Sequence, residues 1–159
     1  MKSRVMQISL MVMLAIFAQV WVVSAQVQNG NEQGLVGSWN LTVTLRDCDK
    51  GTPFFSFPGM ITYNQGGTTQ QTAVPGPDGP ALPGHGAWSH QTGRNYSGAF
   101  QFFGLNPAGT YAARVIVRST IRLGKSGDSY TSTDTAEIFN TNGDLLFRSC
   151  STSTATRFE

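Results

Sequence analysis

The chain has 159 residues, of which 40% are hydrophobic and only 13% charged, and a formal net charge of +2. That length suits a single domain with a real core, and so small a charge argues against nucleic acid or an anionic membrane as the main partner. Thr, Ser, Gly and Phe abound, Lys and Glu are scarce, and no segment past the N-terminus keeps a helical period, so the composition points to β structure.

The first residues read as a targeting signal. Lys2 and Arg4 precede an apolar run, Ile8–Val23, broken only by Ser9 and Gln19. Small residues follow at Ser24 and Ala25, where a signal peptidase would cut. The run is near the short limit for spanning a bilayer. The expectation is a cleaved signal peptide over 1–25, export to a secreted or periplasmic location, and a mature form without a membrane partner. Losing Lys2 and Arg4 leaves nine basic residues against nine acidic ones.

A polar leader, 26–34, comes next, and then a single β domain over 35–159. Its first strand, Leu35–Arg46, alternates strictly: Trp39, Leu41, Val43 and Leu45 share one face, and Asn40, Thr42, Thr44 and Arg46 the other. Pro53–Pro58 is an apolar stretch between prolines, read either as a lid across a barrel end or as the start of the second strand. Met60–Gln65 forms a strand that ends at Gly66-Gly67, a hairpin signal, and Thr68–Val74 returns. Pro75–Gly86 is a long Pro/Gly loop.

Further strands are predicted over Gly86–Gln91, Tyr96–Gly104, Thr110–Leu123, Ser129–Asn140 and Leu145–Phe158, with Asn142-Gly143 marking the last hairpin. Eight strands, mostly short turns and no helix of usable length favour an eight-stranded antiparallel up-and-down barrel. A two-sheet sandwich gives the same period and stays open as the alternative.

Two cysteines are present, Cys48 and Cys150. Export permits a disulfide. In a closed barrel the first and last strands are neighbours, so this pair would fasten the seam; two free thiols are the alternative.

With the strands placed, the chain resembles the secreted lipocalin-like (calycin-type) β-barrels. The resemblance rests on Gly37-Ser38-Trp39, Ile61–Thr68, Gly84-His85-Gly86-Ala87-Trp88, the hairpin from Ile121-Arg122-Leu123 to Gly127–Tyr130, and the ending from Cys150 to Thr156-Arg157-Phe158-Glu159. It implies a barrel that holds a ligand. Two departures limit what it carries over. No C-terminal helix is readable, and Trp39 and Trp88 alone remain past the signal, too few for an avidin-like biotin box.

An eight-stranded barrel has room for core side chains or one small ligand. The candidate lining comprises Trp39, Leu41, Val43, Tyr63 or Met60, Trp88, Phe100, Phe102, Val115 and Val117, with Gly98, Ala113 and Ser119 leaving volume on the same faces. Trp39 is assigned to plugging a closed end. Trp88, His90, Phe100, Phe102, Val115 and Val117 are the expected ligand contacts, with the mouth near the Pro75–Gly86 loop.

Candidate acid/base groups are His90, which shares a face with Trp88, together with Tyr96, Asp134 and Glu137. Asp134 and Glu137 lie on opposite faces of one strand, so one of them should point inward and pair with Arg114, Arg118 or Arg148. The Arg114, Arg118, Arg122 row reads as a solvated face. No metal-ligand spacing, nucleophile elbow or phosphate-cradling loop occurs, and no cofactor is expected.

Three functions are compatible with this pattern. The first is a binder of a small apolar or amphiphilic ligand. The second is a barrel-type cyclase or isomerase using one interior acid/base group. The third is a packed barrel that acts through its surface.

Overall fold

The computed structural model describes residues 34–74 and 82–159. The expected signal peptide over 1–25, nearly all of the leader, and loop residues 75–81 lie outside the described residues. Eight strands follow one another: β1 (Gly37–Arg46), β2 (Pro53–Tyr63), β3 (Thr68–Ala73), β4 (Gly84–Thr92), β5 (Asn95–Leu105), β6 (Tyr111–Leu123), β7 (Ser129–Phe139) and β8 (Leu145–Arg157). Each pairs antiparallel with the next, and β8 pairs back onto β1, closing an up-and-down barrel. Closure excludes the sandwich. Among the described residues there is no helix.

Pro53–Pro58 is the start of β2, not a lid. β1 pairs along all of it, from Arg46 opposite Pro53 to Thr42 opposite Pro58. β3 covers β2 only from Gly59 to Tyr63. The Pro58 carbonyl accepts the Val74 N–H at 3.3 Å, so its nitrogen also points to that side, where the β3 ladder has ended. A strand edge tolerates the missing donor. β4 also begins earlier than expected, with Gly84 opposite Gln71.

Side-chain alternation divides the barrel interior into two halves. At one end Leu35, Trp39, Ile61, Tyr63, Tyr96, Ile121, Leu123 and Tyr130 are all buried. At the other end the inward-facing residues remain partly exposed. The first end is a packed plug and the second is open to solvent.

The β1–β8 seam is clamped at both ends. At the packed end Trp39 is fully buried, and its Nε1 donates to the Leu35 carbonyl at 2.9 Å. The Arg157 guanidinium lies over its ring at 4.2 Å and donates to the carbonyls of Gly34, Val36 and Gly127. This explains Gly37 physically. Its φ is +132°, and a Cβ there would stand 2.6 Å from Arg157 Nη1. At the open end Cys48, just past β1, is bonded to Cys150 on β8, with their Cα atoms 5.2 Å apart.

Candidate functional site

The open half of the barrel is the candidate site. Its walls follow from the register. On β5 and β6, Phe100 faces Val117 and Phe102 faces Val115; on β6 and β7, Val115 faces Ile138 and Val117 faces Ala136. On β1 and β2, Val43 faces Phe57. All of these point into the barrel and are only partly buried. Two glycines of β4 let its backbone approach the neighbouring strands closely. A Cβ at Gly84 would press on the Phe100 ring at 3.0 Å and on the Gln71 amide at 3.4 Å, and one at Gly86 would collide with the Ala99 carbonyl. At the rim, Phe54, Phe55, Leu145, Leu146 and Phe147 are exposed.

Between the open half and the plug the interior is polar. Asp134 is buried and sits between Ser119 on β6 and Ser151 on β8. Ser132 Oγ and Ser153 Oγ both donate to its Oδ2, at 3.0 and 2.9 Å. Burial pushes its carboxyl above the ordinary range, and bonds from Ser119, Ser153 and Ser132 offset only part of this. Below it the hydroxyls of Tyr63 and Tyr130 meet at 3.4 Å. Burial raises both phenols, so they stay neutral.

A raised folded-state value fixes the sign of the pH dependence. The stability that protonated Asp134 contributes is fully present below the ordinary carboxyl value, near pH ~4. It is lost as pH rises through the folded-state value. Asp134→Asn stays neutral throughout. The melting temperature of that variant minus that of the wild type should therefore grow from pH 4 to pH 7, by on the order of a few degrees. A difference that does not change with pH would show that Asp134 ionises freely in the fold.

The expected arginine partner of the inward carboxylate is corrected by the structure. Arg114 and Arg118 alternate outward on β6, and Arg148 does so on β8. The outward carboxylate Glu137 takes both Arg118, at 2.6 Å, and Arg148, at 3.1 Å, and this lowers its pKa. Glu137 is thus an outer-surface residue with no access to the interior. Arg114 lies instead over the Phe139 ring at 4.7 Å. The inward carboxylate is held by serines.

The other sequence candidates divide between the two ends. Phe100, Phe102, Val115 and Val117 come together in the open half. Trp88 packs against Tyr63 and Tyr96 on the plug side, its Nε1 donating to the Asn64 carbonyl. Tyr96 belongs to the buried plug. His90 shares the Trp88 face and also stands at the packed end, exposed, its ring tilted against Tyr96 with centres 5.0 Å apart and Nε2 donating to the Gly93 carbonyl at 2.8 Å. Of the two alternatives for one lining position, Tyr63 is inside and Met60 is outside and exposed.

Sequence reasoning missed the serines. Their signal was present: Ser149, Ser151 and Ser153 recur at every second residue of β8, the parity that the β7 hairpin assigns to Asp134. Among the described residues no group of His, Cys, Asp or Glu side chains is placed to hold a metal ion. No protein-family model matches the chain, and no curated protein matches it.

Proposed function

We propose that the protein is a secreted carrier or receptor that binds one small apolar or amphiphilic molecule in the open half of its barrel. The observation that carries this reading is the contrast between the two halves. The plug is packed tight, while the aromatic and aliphatic walls opposite stay partly exposed beyond a polar layer. An eight-stranded barrel has space for one such ligand, and concave apolar walls with a few convergent polar groups are what a ligand site requires. Export is supported by the Cys48–Cys150 disulfide, which an oxidising compartment maintains.

The enzyme reading gains less from the geometry. Of its four candidates, His90 is outside at the packed end, Glu137 is on the outer surface and Tyr96 is inside the plug. Asp134 alone borders the open half.

An environment-sensitive apolar dye tests the proposal. Wild-type protein should bind it at micromolar concentration. Ala136→Phe, which places a ring in the lumen opposite Val117 and Ser149, should weaken binding at least tenfold while the thermal melt stays cooperative. Native mass spectrometry of protein from its own source should show a co-purified small molecule. No dye binding together with a clean apo mass would overturn the reading.

A further inference from the structure

Resting on that reading, we infer that the interior site selects lipophilic monocations: a small amine whose charged head sits against Asp134 and whose apolar body lies along Phe100, Phe102, Val115 and Val117. Asp134 is the one carboxylate that the described strands turn inward. Among the described residues no cation pairs with it. Both ion pairs among the described residues belong to Glu137 on the outer surface, and the arginines of β6 alternate outward. Arg157 does point inward, but it lies beyond the plug, stacked on Trp39 and spent on three carbonyls. The titratable groups packed nearest Asp134 are Tyr63 and Tyr130, both neutral.

A buried carboxylate without a counter-charge is costly, and hydroxyl donors offset only part of that cost. A barrel built only for stability would carry an apolar residue at this position. Ser119, Ser132 and Ser153 each supply one donor, whereas an ionised carboxylate accepts about four. A ligand ammonium would supply the missing charge and hydrogen-bond donors together. The phenylalanine faces above it add attraction for a cation. The same arrangement rejects a carboxylate head, which would meet Asp134 with like charge and no compensating cation. From Asp134 to Ile138 the wall runs about 13 Å along β7 at 3.3 Å per residue, enough for a medium-length chain or a ring system.

The test is displacement of the bound dye by 1-aminooctane, 1-octanol and octanoate at pH 7. The amine should displace it at least tenfold more tightly than the alcohol, and octanoate should be the weakest. Asp134→Asn should lower the amine-to-alcohol displacement ratio at least tenfold, to one or below. Calorimetry in two buffers of different ionisation enthalpy should show proton release when the amine binds below neutral pH, since its charge drives Asp134 to ionise. If Asp134→Asn fails to fold, the wild-type amine-to-alcohol ratio and the proton count decide the matter. Equal displacement by alcohol and amine, or preference for octanoate, overturns this inference while leaving the binder reading intact. If the dye itself does not bind, both fall.

Discussion

Replacing Trp39 with Ala should destabilise the protein by about 3–5 kcal/mol, the range for emptying an aromatic site in a packed core. Trp39 is fully exposed to this loss. Its side chain is wholly buried, it packs edge-on against Tyr130 with ring centres 4.9 Å apart, and it carries the Arg157 guanidinium on its other surface. Truncation would also strand the Leu35 carbonyl that its indole N–H satisfies. Against a total stability of about 5–15 kcal/mol for a domain, this is a large fraction. Trp39→Phe keeps a ring between Tyr130 and Arg157 and should lose less, about 1–3 kcal/mol for the unsatisfied carbonyl. Urea unfolding of both variants would check the ranking. An unfolding free energy for Trp39→Ala within about 1 kcal/mol of wild type would mean that the plug is not the core of the fold.

Removing the Cys48–Cys150 bond by replacing both residues with Ala should have an effect of similar size. The two residues are 102 apart in sequence, and a closed loop of that length contributes about 4–5 kcal/mol on the chain-entropy account. In a domain of this size that corresponds to a fall in melting temperature of roughly 10–20 °C. The physical consequence is local as well. β1 and β8 pair from Trp39 opposite Arg157 to Arg46 opposite Cys150. Without the bond, the seam keeps its Trp39–Arg157 clamp at the packed end and loses its fastening at the mouth. Amide exchange should therefore accelerate first around Leu45, Arg46 and Ser151. Because the two clamps are at opposite ends of the seam and share no partner, the cysteine and tryptophan changes should add. Melting with and without a reductant gives the first measurement. A shift under about 2 °C would show that the barrel closes without the bond, through strand pairing and the Trp39 clamp.

Most of the architecture was legible in the sequence because it is periodic. In Leu35–Arg46 and Thr110–Leu123 apolar residues alternate with polar ones, and the alternation alone separates Val115 and Val117 from Arg114 and Arg118. The Gly66-Gly67 and Asn142-Gly143 turns fixed where strands reverse. Where local rules conflicted, the reading stayed open. Prolines at 53 and 58 argue against a central strand, and only the early end of β3 shows why they are tolerated within β2. The inward carboxylate was legible as a choice between Asp134 and Glu137, since three residues separate them. Its partners were not. Arginine was the expected partner on charge grounds, whereas serine hydroxyls on its own strand and on both neighbouring strands hold it instead.

What the sequence determined by itself is therefore one-dimensional: the number of strands, the pairing of faces along each, and the placement of Trp39 and Phe100 on inward faces. Period 2 assigns a face within a strand but carries no information about which residues of two different strands stand at the same height. That is set by register, which depends on turn geometry and on closure of β8 against β1. Only the tertiary structure could set Asp134 level with Ser119 and Ser151, place His90 at the packed end together with Trp88, and lay Arg157 over Trp39 across 118 residues of chain. The chemistry of the interior depends on those heights, so it becomes visible only once the barrel is closed.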